Sequence, residues 1–327
     1  MEQPSLWRRL PLVAVLVTVL LGVPLLAGGV AAGETGALTA GLGAVFTLLM
    51  VLKAGSRTAL RVLPGLVLVI AVAALAAGTW WWVALLVLLA VLAGLGSTQG
   101  GLVPAALAGM LAAATPPLGT GEDLLVRLSL AAAAGVYVIV IGRRLGLPDE
   151  VPAVRATPGS APAIALVLGA VVGVGATIAV RWSDAYAYWI PVSIFLLSIP
   201  VPGVRIQSAA RQRLLGTVLG LAVPIPLVVL GLPGLLRIPL VVLLLLLVLA
   251  VPRPVWLNAA IMTALLVLLL DAPSGRVSVG AMRLVDVAIA VVLVLAGLVA
   301  LSWWSRRHPP GPARHEITEG IVESQRE

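Results

Sequence analysis

Along this chain apolar residues run in long unbroken stretches, and polar residues gather in short clusters between them. Twelve such stretches can be placed, near 11–32, 36–52, 62–78, 81–96, 102–116 and 124–142, then 161–180, 185–201, 213–231, 236–251, 256–271 and 283–304. A hydrocarbon core needs about 20 apolar residues per crossing helix, and most of these stretches approach that length. Those at 36–52, 102–116 and 256–271 are shorter, which suits tilted or re-entrant helices. Strands of a transmembrane barrel would alternate apolar and polar positions, whereas these segments are continuously apolar. Within lipid every backbone polar group must be satisfied inside its own segment, so the stretches are read as helices. The predicted fold is an all-α, polytopic membrane helix bundle of about twelve transmembrane helices.

The polar clusters give an orientation. With Arg8 and Arg9 on the cytoplasmic side, the same side holds Lys53, Arg57, Arg61, Arg143, Arg144, Arg155, Arg205, Arg211, Arg213, Arg253, Arg306, Arg307, Arg314 and Arg326. The opposite side holds Arg127, Arg181, Arg237, Arg276 and Arg283. Sixteen basic residues against five obeys the positive-inside rule and requires an even number of crossings, with both termini cytoplasmic in a plasma or inner membrane. The formal net charge of +8 therefore reflects topology and anionic headgroups. No basic soluble domain exists to bind nucleic acid. The opening basic residues and apolar run resemble a signal peptide, but the run is too long, and an uncleaved first helix is expected.

Composition changes the picture little. The chain of 327 residues is 61% hydrophobic and 10% charged, which excludes a water-soluble enzyme. It has no cysteine, so disulfides and thiolate metal sites are ruled out. The nine tryptophans fall mostly at predicted helix ends, as an interfacial belt requires.

The two halves echo one another. Gly55-Ser-Arg-Thr-Ala-Leu-Arg61-Val-Leu aligns with Gln207-Ser-Ala-Ala-Arg-Gln-Arg213-Leu-Leu, and Val126-Arg127-Leu128 with Met282-Arg283-Leu284. Each half closes on a basic pair, Arg143-Arg144 and Arg306-Arg307. The expected organisation is a six-helix half over 1–147, a linker at 148–160, a second six-helix half at 161–304 and a polar cytoplasmic tail at 305–327. Two parallel six-helix repeats would be related by an axis along the membrane normal, placing a substrate path between them.

The run Tyr188-Trp-Ile-Pro-Val-Ser193, followed by Arg213-Leu-Leu-Gly216-Thr217-Val-Leu-Gly220, resembles the fusaric-acid-resistance (FUSC) or aromatic-acid-exporter family. Asn258-Ala-Ala-Ile-Met-Thr263 and Arg283-Leu-Val-Asp286 resemble later segments of that family in order and spacing. The likeness is strongest over about 185–304. The first half carries Pro64-Gly65 where the second has Gly216-Thr217, and no large cytoplasmic domain is visible. The resemblance implies an inner-membrane exporter of aromatic or other organic acids.

Candidate chemistry follows from the polar residues that remain. Arg57, Arg61, Arg211 and Arg213 stand two per half at matching cytoplasmic positions, and guanidinium suits bidentate capture of a carboxylate. Basic residues at such ends are equally what topology alone demands. Ser193, Thr217, Asn258 and Thr263 lie deeper and are cavity candidates, although Ser and Thr often bond their own helix. Tyr188 and Trp189 can stack on an aromatic substrate or sit in the belt. No carboxylate falls at the centre of a predicted helix, and Asp271, Arg283 and Asp286 form a set at helix ends that reads as a salt-bridge cluster or a coupling gate. Pro191 and Pro200 bracket the eighth stretch, and Pro224 and Pro226 interrupt the ninth, as broken helices of transporters do. No phosphate loop, metal-ligand spacing or nucleophile elbow occurs, so neither enzyme activity nor a cofactor is expected.

A secondary exporter is the leading reading. A passive anion channel and a non-transporting membrane subunit of a larger assembly are the alternatives. The expected partners are membrane lipids, a small organic anion and, in a dimeric arrangement, a second copy of the chain.

Overall fold

The computed structural model describes residues 18–99, 123–151, 161–182, 189–198, 206–222, 224, 226, 240, 243–244, 247, 254–270 and 278–307. Among these there is no strand. The helices are α1 (Val23–Ala54), α2 (Ser56–Ala76), α3 (Trp80–Leu95), α4 (Asp123–Arg144), α5 (Ala161–Trp182), α6 (Trp189–Ser198), α7 (Ile206–Ala222), α8 (Val255–Leu270) and α9 (Ser278–Arg307). Five of the described segments are long and apolar enough to cross a membrane: Ser56–Ala76, Trp80–Thr98, Leu124–Arg144, Ala161–Trp182 and Val285–Trp304. The stretches predicted at 102–116 and 236–251 lie outside the described residues, except for isolated positions in the latter.

The segments predicted separately at 11–32 and 36–52 meet in α1. A corner at Ala32 and Gly33, both with non-helical backbone angles, folds α1 back on itself. Gly33 takes φ 64°, a region that favours glycine. The two arms then pack so closely that a Cβ on Gly28 would strike the carbonyl of Gly36. A π-helical turn, Thr18–Gly22, precedes the first arm. Its Val19 carbonyl accepts a hydrogen bond from the Tyr137 hydroxyl at 3.1 Å, tying the arm to α4.

Apolar residues lie on both sides of the helices. Inside the bundle, alanines such as Ala59, Ala73, Ala74, Ala90, Ala131, Ala134, Ala176 and Ala290 are buried beside large apolar residues such as Leu86 and Phe195. Outside lie large apolar ones, with Val30 at 91% exposure and Leu26 at 73%. Water would penalise such a surface, whereas lipid tails are as apolar as leucine. Without a hydrophobic drive between helices, close approach of small residues supplies the packing.

Two groups of helices result. The second arm of α1 packs with α2 and α4 around Phe46, Met50, Val51, Leu63, Leu66 and Ile139. A larger core joins α3, α5, α6 and α9 around Leu86, Val172, Ile190, Ile194, Phe195 and Ala290, with Ala73 and Ala76 of α2 at its edge. Glycine contacts set the directions. Gly43 against Ala131 and Gly135 against Thr47 make the second arm of α1 parallel to α4. Gly94 against Ala165, with Gly169 against Val91, makes α3 antiparallel to α5, and Gly297 against Val171, with Gly175 near Leu293, makes α5 antiparallel to α9.

Candidate functional site

α7 and α8 pack more tightly than any propensity would dictate. The small face of α7, Gly216 and Gly220, lies against the backbone of α8, where a Cβ would strike the carbonyls of Trp256 and Ala260. The order of those contacts makes the two helices parallel. On the same face, Thr217 is buried and donates to the Arg213 carbonyl at 3.0 Å, one turn back. Thr263 of α8 reaches the Thr217 hydroxyl at 3.5 Å, across the seam. Arg213 stands a turn before Gly216 on this face, since residues three and four apart are neighbours on a helix. Its Nη1 is buried and has no hydrogen-bond partner among the described residues.

The other arginines of the predicted set are placed differently. Arg211 is exposed, as is Arg61 on α2. Arg57 is exposed and pairs with Glu150 at 3.0 Å. That pair belongs to a strap that the sequence reading did not foresee. After α4 the chain turns at Gly146 (φ 83°), with Leu145, Gly146 and Leu147 donating back to Ile141, Arg143 and Gly142. Leu147 folds onto the core of the first helix group. The carbonyls of Pro148 and Asp149 then accept the N–H groups of Ser56 and Arg57, which open α2 and would otherwise lack partners. The Asp149 carboxylate accepts from the Ser56 hydroxyl at 2.5 Å and pairs with Arg143 at 2.9 Å. The Ser56 hydrogen bond, then the guanidiniums of Arg143 and Arg57, hold the Asp149 carboxyl below its ordinary value despite some desolvation. Gly55, with φ 88°, lies too close to the Asp149 backbone for any side chain. A serine after a glycine at a helix start was the one local signal of this arrangement; its partner, 93 residues away, left none.

Ser193 is buried in α6, and Trp189, at the start of that helix, is buried in the larger core. Asn258 is exposed. Asp286 is buried at 8% exposure, eight residues into α9 rather than at its start, because that helix begins at Ser278. The Arg283 side chain lies outside the described residues, as do Asp271 and Tyr188. Thus the structure brings Arg213, Thr217 and Thr263 together, and it sets Arg57 apart with Glu150. Among the described residues no cluster of His, Asp or Glu could hold a metal ion.

The stretch from α5 to α9 is similar in sequence to a known family. Residues 164–297 match the family model described as fusaric acid resistance protein-like. The second half is FUSC-like. The match covers Trp189, Ser193, Arg211, Arg213, Thr217, Asn258, Thr263, Arg283 and Asp286, and it begins and ends within α5 and α9. No curated protein matches the chain, and no solved structure does. Apolar helices of spanning length, together with the FUSC match over residues 164–297, support a transporter-like membrane protein.

Proposed function

We propose that the protein is a secondary exporter of organic acids, aromatic acids among them, across the plasma or inner membrane. The observation that carries this reading is the buried Nη1 of Arg213, without a partner among the described residues, on the α7 face that meets α8. Leaving a buried donor unmet costs about 1–3 kcal/mol, more when the group is charged. A carboxylate bound there would recover that loss through a charge-assisted hydrogen bond. Thr217 and Thr263 continue the polar seam from Arg213 along the helix pair.

Alternating access between two six-helix halves is supported by a repeated pattern of packing. In the first group α4 packs on the Thr18–Gly22 turn, on α1 and on α2; in the second, α9 packs on α5, α6 and α7. Helix directions agree with alternating crossings. The second arm of α1 is parallel to α4, α7 is parallel to α8, and α3 and α9 are each antiparallel to α5. Cytoplasmic termini are supported by the ends of the bundle. Arg57 and Arg143 meet at the start of α2, away from the end where Arg181 lies over the Trp80 ring at 5.4 Å.

The test is accumulation in proteoliposomes. With an imposed pH gradient, an exporter concentrates a radiolabelled aromatic acid such as benzoate against its gradient, and Arg213→Gln abolishes this. Flux that merely follows the electrochemical gradient of the anion would replace the exporter by a channel. In cells, resistance to one class of acids should require the protein and be lost with Arg213→Gln.

A further inference from the structure

Four arginines at matching places in the two halves look interchangeable in sequence, yet their surroundings are not. Arg57 already has a carboxylate, that of Glu150. Arg211 precedes Arg213 by two residues, about 200° round the helix, and points into open space. Arg61 aligns with Arg213 but is exposed on α2, where Pro64 and Gly65 are exposed as well. A Cβ on Gly65 would meet nothing within 4 Å, whereas Gly216 is closed against α8. Only the guanidinium of Arg213 combines a buried nitrogen with the lack of a partner among the described residues.

Resting on the transport reading above, we infer that each chain binds one anion, at Arg213 alone, and that this anion is a monocarboxylate. A partly buried guanidinium compensates one negative charge. Among the described residues its neighbours along the seam, Thr217 and Thr263, are neutral hydroxyls and supply no second positive charge. A dicarboxylate would bring a second charge into the same surroundings with nothing among those residues to offset its desolvation.

Equilibrium binding of radiolabelled benzoate and phthalate to the purified full chain in nanodiscs tests this. The two probes share a ring and differ by one carboxylate. The expected result is one benzoate per chain and phthalate weaker by about tenfold or more, at a pH where both phthalate carboxyls are ionised. Arg61→Gln leaves benzoate binding unchanged and Arg213→Gln removes it. Arg213→Lys, which keeps the charge, retains weakened binding with the same preference for benzoate, which separates loss of the site from loss of the fold. Two benzoates per chain, equal binding of phthalate, or equal damage from Arg61→Gln overturns the single monoanion site and leaves the transport reading intact. Binding of neither benzoate nor acetate overturns the anion site itself, and with it the reading on which this inference rests.

Discussion

The Asp149 carboxylate connects three places that are far apart in sequence: the end of α4 through Arg143, the start of α2 through Ser56, and its own strap. Because its folded value is depressed, the stability it contributes is complete above the ordinary carboxyl value near 3.8 and is lost as pH falls through the lower, folded value. Asp149→Asn should therefore lower the thermal midpoint in detergent at neutral pH. The gap from the parent protein should hold constant down to about pH 4 and close only below it. A gap that instead changes between neutral and mildly acid pH would assign the effect to another group. The neighbouring pair, Arg57 with Glu150, is exposed at both ends, at 58% and 74% for the side chains. Glu150→Gln should cost no more than about 1 kcal/mol in the same measurement.

Helix pairs divide by whether glycine is needed. Gly220 faces the Ala260 backbone, so Gly220→Ala should force the seam open and destabilise the protein by about 1–3 kcal/mol, the usual cost of overpacking. Gly65 is exposed with no neighbour, so Gly65→Ala should stabilise α2 by about 0.5–1 kcal/mol through lower backbone entropy in the unfolded chain. Unfolding of the two variants in mild detergent distinguishes the cases by sign. Much of this level was legible beforehand. The apolar stretches at 81–96, 124–142 and 161–180 coincide with α3, α4 and α5 to within a few residues, since length and hydropathy are what lipid selects. Two helix starts were not. α2 begins at Ser56 instead of 62, because its first turn is polar and receives partners from a distant strap, and α9 begins at Ser278 instead of 283. The site shows the same division. Thr217 and Ser193 were picked as buried polar groups and are buried. That Arg57 and Arg213 differ could not be read, because Glu150 and α8 become their neighbours only on folding.

At the scale of the molecule, the two ends of the bundle carry different groups. Thr79 caps α3 by accepting from the Trp81 amide, and Trp81 projects at 78% exposure beside the end that holds Arg181. Leu145 lies at the other end, next to the Asp149 strap. The native chain has no cysteine, so single substitutions report topology cleanly. A membrane-impermeant thiol reagent should label Trp81→Cys in intact cells and Leu145→Cys only in inverted vesicles. The reverse pattern would invert the orientation deduced from charge.

One contact bears on how the halves move. Gly94 of α3 and Ala165 of α5 touch backbone to backbone, and Gly169 and Gly173 of α5 continue the seam against Val91 and Val87. Separating such a line would strip close van der Waals contact from both helices with no hydrophobic gain in lipid to compensate. The line between α3 and α5 is thus the part of the bundle least able to part, and a helix that moves in this molecule must move elsewhere than along it.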